Sequence, residues 1–244
     1  IRAQETFFLW GPRQTGKTTY LEHRFPDAYR IDLLESDVFV KYLSAPHLLR
    51  QELRESRLKN RSGPPLVIID EVQKVPALLD EVQLLIGRDQ FVFGLCGSSA
   101  RKVRRGYANL LGGRAVRYEL HGLVSAELKK DFDLTRACRN GVLPPAYFAE
   151  DAARFFRSYI GDYLKDEIAA EGLVRKLPAF SDFLRAAAIS DTELINFTNI
   201  ASDCGVSKSG AEGYFQILED TLFGRFLPAY TKRPKRRTIE APKF

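Results

Sequence analysis

The chain has 244 residues, enough to bury a core as one large domain or two smaller ones. Its formal charge of +6 and pI of about 9.2 permit a nucleic-acid partner without requiring one. Three isolated cysteines (Cys96, Cys138, Cys204) and three scattered histidines (His23, His47, His121) exclude a disulfide framework or metal cluster readable from spacing. The apolar runs are strand-length, so a cytoplasmic protein without a membrane span is expected. No methionine occurs, even at residue 1, so the chain reads as a fragment or as one from which residues were dropped. Ungapped motifs therefore weigh more than long separations.

In chain order, "FFLW" at Phe7–Trp10 reads as a strand running into "GPRQTGKT". This is Gly11, four residues, then Gly16, Lys17 and Thr18, followed by a helix expected at Lys17–Arg24. A backbone that wraps a phosphate with its N–H groups needs glycine wherever a Cβ would clash. The helix behind it adds the positive end of its dipole. The spacing assigns Gly11, Pro12, Arg13, Gln14, Thr15, Gly16, Lys17, Thr18 and Thr19 to a nucleotide-phosphate loop. In it Lys17 reaches the β- and γ-phosphates and the Thr18 hydroxyl holds Mg²⁺. Further strands are expected at Tyr29–Leu33, Leu66–Ile69, Phe91–Cys96 and Ala115–Leu120, and further helices at His47–Leu58, Pro76–Ile86 and Arg101–Leu110. The alternation describes an α/β fold with a parallel sheet.

"LVIIDEVQKVP" aims an apolar strand at two acids, where ligands collect at the carboxyl ends of parallel strands. Asp70 is placed beside Thr18 as a metal ligand, and Glu71 as the general base that polarises an attacking water. Helix N-terminal preference explains one acid but not the strand aimed at it. After the fourth strand, Ser98 and Ser99 offer hydroxyls to a γ-phosphate, or form a plain small-residue exit. Arg101, Lys102, Arg104 and Arg105 read as a solvated helix face. Arg114, after a glycine hinge, either stabilises phosphoryl charge, from the same or a neighbouring subunit, or makes a structural ion pair.

Beyond about residue 125 the texture turns helical. In "NFTNIASDCGVSKSGAEGYFQILEDTL" a helix carrying Ala201 ends at Gly205 and Ser207 caps the next. Tyr214, Ile217 and Leu218 form the buried side of that second helix. A helix-turn-helix invites DNA, with Lys208 and Ser209 at the recognition helix, although Glu212, Glu219 and Asp220 offset Lys208. Lys232, Arg233, Lys235, Arg236 and Arg237 would add a clamp on the DNA backbone. Packing as a lid over nucleotide is the competing use. Tyr214 and Phe215 read as core.

"GPRQTGKT", "IIDEVQKVP", "GSS", "GGRA" and "YFQILEDTLFGRFLPAY" together resemble a prokaryotic AAA+-type P-loop ATPase, the group called AAA domain family 14. That group usually carries a C-terminal domain of unknown function and is related to archaeal and signal-transducing ATPases. The resemblance covers essentially the whole chain. It implies that Gly11, Gly16, Lys17, Thr18, Asp70, Glu71, Ser98 and Arg114 form the ATPase site, with ATP and Mg²⁺ as cofactors. It also implies a helical lid, a winged-helix module and a last fold beginning about where this chain stops. The expected organisation is a P-loop core at 1–128, a lid at 129–190 and a winged helix at 191–231. A basic tail at 232–244 would lead into a truncated C-terminal domain.

The expected activity is Mg²⁺-dependent ATP hydrolysis that switches lid and winged helix, acting on or near DNA, in a chain that could self-associate. The alternative is a nucleotide-liganded, DNA-binding regulator with negligible turnover. A phosphotransferase is disfavoured because no acceptor motif is visible.

Overall fold

The computed structural model describes residues 1–2, 4–56, 63–89, 91–98, 110–164, 177–229 and 241–244. Five strands form one parallel sheet: β1 Phe7–Trp10, β2 Tyr29–Asp32, β3 Leu66–Asp70, β4 Val92–Gly97 and β5 Val116–Glu119. Their spatial order is β2-β3-β4-β1-β5. Every residue of β1 and β4 is buried, whereas the edge strands β2 and β5 keep exposed positions. Apolar runs thus occupy the middle, where both faces are covered, and half-polar segments the edges. Each fully buried Phe, Leu or Val in these strands contributes about 1.5–3 kcal/mol.

β1 is flanked by β4 and β5, and β3 lies on the far side of β4. The strand feeding the glycine-rich loop and the strand ending in Asp70 are therefore separated by one strand. Trp10 is in register with Gly97 and Ile69 with Leu95, so all three strands end at one edge. The strand bounds differ from expectation by a residue at several ends. The Leu120 amide still donates to the Trp10 carbonyl at 2.8 Å, just past β5.

α1, Lys17–Arg24, starts where the spacing puts it and buries Leu21. α2, Ser36–Ser44, has no counterpart in the sequence pattern, because only Tyr42 of its nine residues is buried and its apolar residues form no single stripe. It is tied to α3, Leu48–Glu55, by the Tyr42 hydroxyl and Lys41 ammonium, which donate to Glu52 at 2.9 and 2.7 Å. Burial, with Glu52 beside it, pushes the Tyr42 phenol well above its ordinary range. α4, Leu78–Asp89, buries Leu78, Leu79, Val82 and Leu85, a helical repeat facing the sheet. The helix expected at Arg101–Leu110 falls almost wholly outside the described residues, as do Ser99, Arg101, Lys102, Arg104 and Arg105. Short helices α5 Ser125–Leu128, α6 Leu134–Asn140 and α7 Pro144–Tyr147 close this first compact unit, Ile1–Phe148.

The second unit, Ala149–Phe244, is helical: α8 Ala152–Ser158, α9 Leu177–Ile189, α10 Phe197–Asp203 and α11 Lys208–Asp220. Its core packs aromatic rings edge to face, with Phe183–Phe215 centroids 4.8 Å apart and Phe180–Tyr214 centroids 5.0 Å apart. The turn between α10 and α11 follows the expected capping. Gly205 is left-handed at φ 61°, the Gly205 and Val206 amides donate to Ser202 and Ala201, and the Ser207 Oγ accepts from Gly210. Leu194 and Leu227 each form an antiparallel bridge with Lys243. The basic run Lys232, Arg233, Lys235, Arg236 and Arg237 lies in sequence between those bridged positions, outside the described residues. Among the described residues no helix is long and apolar enough to cross a membrane.

Candidate active site

The loop between β1 and α1 is shaped by its glycines and by local hydrogen bonds. Gly11 lies against the Leu120 carbonyl with no room for a Cβ, and Gly16 sits at φ 86° as the first cap of α1. Gln14 is also left-handed, at φ 64°. The Thr15 Oγ1 donates to the Pro12 carbonyl at 2.8 Å, closing the turn. The Lys17 side chain folds back along the loop and is buried, its Nζ donating to the carbonyls of Gly11 and Pro12 at 2.8 and 2.9 Å. A buried ammonium is costly unless it is paired with an anion or hydrogen-bonded. Here two of its three donors are met by loop carbonyls. Arg13, Gln14, Thr18 and Thr19 are exposed around this cradle.

Asp70 closes β3 opposite the start of α1. Its Oδ2 accepts from the Thr18 Oγ1 at 2.6 Å and its Oδ1 accepts from the Glu71 amide at 2.9 Å. Thr18 and Asp70 are 52 residues apart in sequence, and the sheet brings them into direct contact. They offer hard oxygen donors of the kind magnesium takes, one or two from protein and the rest from phosphate and water. Among the described residues no cluster of three or more His, Cys, Asp or Glu forms a metal cage of its own. Beside Thr18 and Asp70 opens a cleft of about 310 Å³, walled by Tyr29, Asp32, Glu35 and Tyr42 among others.

Glu71 adopts φ 53°, a left-handed conformation that costs a non-glycine residue about 1–3 kcal/mol. It heads a short 3₁₀ turn, Val72–Lys74. The Gln73 Nε2 donates both to the Glu71 carboxylate and, at 3.1 Å, to the Ser98 Oγ just after β4. Gln73, Glu71 and Ser98 are all buried. Gln73 was not among the residues that spacing singles out. Its signal in sequence is only its place two residues after the acidic pair.

The family described as AAA domain matches residues 3–129, just over half of the chain. The chain belongs to the AAA domain family. It is a P-loop ATPase of the AAA type, followed by a match at residues 131–244 to a domain of unknown function (DUF8612). Among curated proteins it is similar to the uncharacterized proteins Rv2008c of Mycobacterium tuberculosis and Mb2031c of Mycobacterium bovis, each 28% identical over 97% of this chain and 52% of theirs. The chain thus spans about half the length of the curated relatives it matches. Among solved structures it resembles the Walker-type ATPase paby2304 of Pyrococcus abyssi at TM-score 0.57 and 16% identity, over 92% of this chain and 86% of that one. At that identity the likeness shows the fold.

Within the AAA domain, Cys96 lies under the site, fully buried. Burial pushes its thiol well above the usual range and the Asp70 carboxylate adds to this, against a smaller opposite pull from Lys17. It therefore stays a neutral thiol at neutral pH.

Arg114 lies elsewhere. It precedes β5, whose first residue, Val116, is in register with Phe7, while the phosphate loop leaves the other end of β1 after Trp10. The structure places Arg114 at the opposite edge of the sheet, exposed, with its guanidinium against Gly87 of α4. The AAA domain does not bring this arginine to its own phosphate loop, because parallel strands keep their two ends apart.

Proposed function

We propose that the AAA domain binds Mg²⁺-ATP and hydrolyses it. The observation that carries this reading is the 2.6 Å contact between the Thr18 hydroxyl and the Asp70 carboxylate beside a buried Lys17. The N–H groups of the Gly11–Thr19 loop, Pro12 excepted because it has none, and the Lys17 ammonium hold the phosphates, and Thr18 and Asp70 hold the metal. Bound magnesium supplies charge neutralisation on the β- and γ-oxygens. Glu71 accepts a proton from the water whose oxygen attacks the γ-phosphorus, while the bond to the bridging oxygen breaks to leave ADP and phosphate. Ser98 donates to the γ-phosphate from the end of β4.

Arg114, at the far edge of its own sheet, reaches a γ-phosphate only in a neighbouring copy. Turnover per subunit that rises with protein concentration supports this role, and turnover independent of dilution removes it. Nucleotide occupancy is read out by a lid at 129–190 and a winged helix at 191–231, in a cytoplasmic protein.

A second reading, a DNA-binding regulator that uses nucleotide as a ligand with little turnover, is favoured by the second unit. There the exposed start of α11 carries Lys208 and Ser209 behind the Gly205 turn, and Lys243 bridges Leu227 as a short β pair would in a winged helix. Against it, Lys208 faces Glu212 at 3.8 Å, and Gln216 bonds Glu219 and Asp220, so this helix carries its own acids. Steady-state phosphate release with and without duplex DNA separates the two readings. Turnover without DNA supports the hydrolase. Negligible release together with a salt-dependent DNA affinity, lost on neutralising Lys232, Arg233, Lys235, Arg236 and Arg237, supports the regulator.

A further inference from the structure

The Glu71 side chain does not stand alone at the end of β3. A carboxylate accepts hydrogen bonds, so the face of the Gln73 amide turned toward it is the NH₂ group, and the same nitrogen reaches the Ser98 hydroxyl at 3.1 Å. One amide thus bridges residues that leave two different strands. Its other atom, Oε1, is buried with no hydrogen-bond partner and lies against Gly97, where no side chain would fit. The amide is therefore wedged rather than free to swing. The turn that carries it is anchored a second time, because the Lys74 Nζ donates to the Leu33 carbonyl at 2.6 Å and sits 4.5 Å over the Phe39 ring. A buried polar atom left unpaired and a left-handed glutamate two residues before it are retained only where the surroundings over-determine them.

We propose that Gln73 is a positioning residue that sets the orientation of the Glu71 carboxylate and ties it to the state of Ser98. This rests on the reading of Glu71 as general base. The Ser98 Oγ accepts from the Gln73 amide through a lone pair while its own O–H donates to a γ-phosphate, and the hydrogen-bond chain from phosphate to Ser98 to Gln73 then fixes where the Glu71 carboxylate points. The base is then presented to water only when the third phosphate is present. Uncoupling the amide leaves nucleotide binding intact and degrades the chemical step.

The test is steady-state hydrolysis and Mg²⁺-ATP affinity for Gln73→Met, which keeps length and volume but has no donor, with Ser98→Ala and the double variant alongside. The expected result is a fall in kcat of about tenfold or more in Gln73→Met with KM and nucleotide affinity within about twofold. The double variant should lose less than the product of the two single losses, because both residues act in part through one contact while Ser98 also meets the phosphate directly. Gln73→Glu, equal in size but setting an acceptor against the carboxylate, should lower kcat in the same way and covers the case in which the methionine variant does not fold. An unchanged or raised kcat in either folded variant overturns the proposal, as does strict additivity with Ser98→Ala. Glu71→Gln separates the two levels. Normal turnover in that variant removes Glu71 and this inference together. Lost turnover there with unaffected Gln73 variants removes the inference alone.

Discussion

Around the phosphate loop, Lys17, Asp70, Glu71, Gln73 and Ser98 are each at most 9% exposed, and two non-glycine residues, Gln14 and Glu71, hold left-handed backbones. The core of the second unit is built instead from Phe180, Phe183, Ile200, Ala211, Phe215 and Leu218. Thr221 is the buried polar residue of that unit among the described residues, and its hydroxyl simply returns to the Ile217 carbonyl at 2.7 Å. One region spends stability on burying charge and straining backbone, which is what a site poised for anion chemistry requires. The other gains stability from aromatic packing and ordinary caps. Substitutions should therefore separate the two regions by what they damage, activity in the first and folding in the second.

Glu71→Gln should show the separation most sharply. Turnover should fall by about 10²–10⁴-fold, the usual contribution of a positioned base, while ATP is still bound and the melting transition is unmoved. Normal phosphate release from that variant would take Glu71 out of the chemistry. Phe215→Ala should do the reverse. Removing a ring packed against Phe183, Phe197, Phe226 and Phe244 should destabilise the second unit by about 3–5 kcal/mol in urea unfolding, with little change in nucleotide affinity. A loss of ATP binding comparable to that in a loop variant would show that the two regions do not fail separately. Ser207→Ala should have the smallest effect. Losing the Oγ that accepts from the Gly210 amide should cost about 1 kcal/mol of stability in the second unit and leave turnover unaltered.

The same contrast governs what could be read in the sequence. β1, β3 and β4 were legible because buried parallel strands are unbroken apolar runs, and α1 because a glycine-lysine step opens it. The turn of the second unit was equally legible, since Gly205 and Ser207 act on backbone within a few residues. α2 escaped because Val40 and Leu43 are exposed and blur the stripe. The Gln73–Ser98 contact spans 25 residues and depends on β4 lying beside β3, which no local pattern states. Arg114 shows the same limit. A Gly-Arg step before a strand says nothing of which end of the sheet it occupies until β5 is known to run parallel beside β1.

The most direct test of the account is calorimetric titration of the folded chain with ATP in the presence and absence of magnesium, beside Lys17→Ala. Uptake should be saturable, should weaken when magnesium is chelated and should be lost in the lysine variant. Folded protein that takes up no ATP at millimolar concentration with magnesium present, or a lysine variant that binds as tightly as the parent, would contradict it.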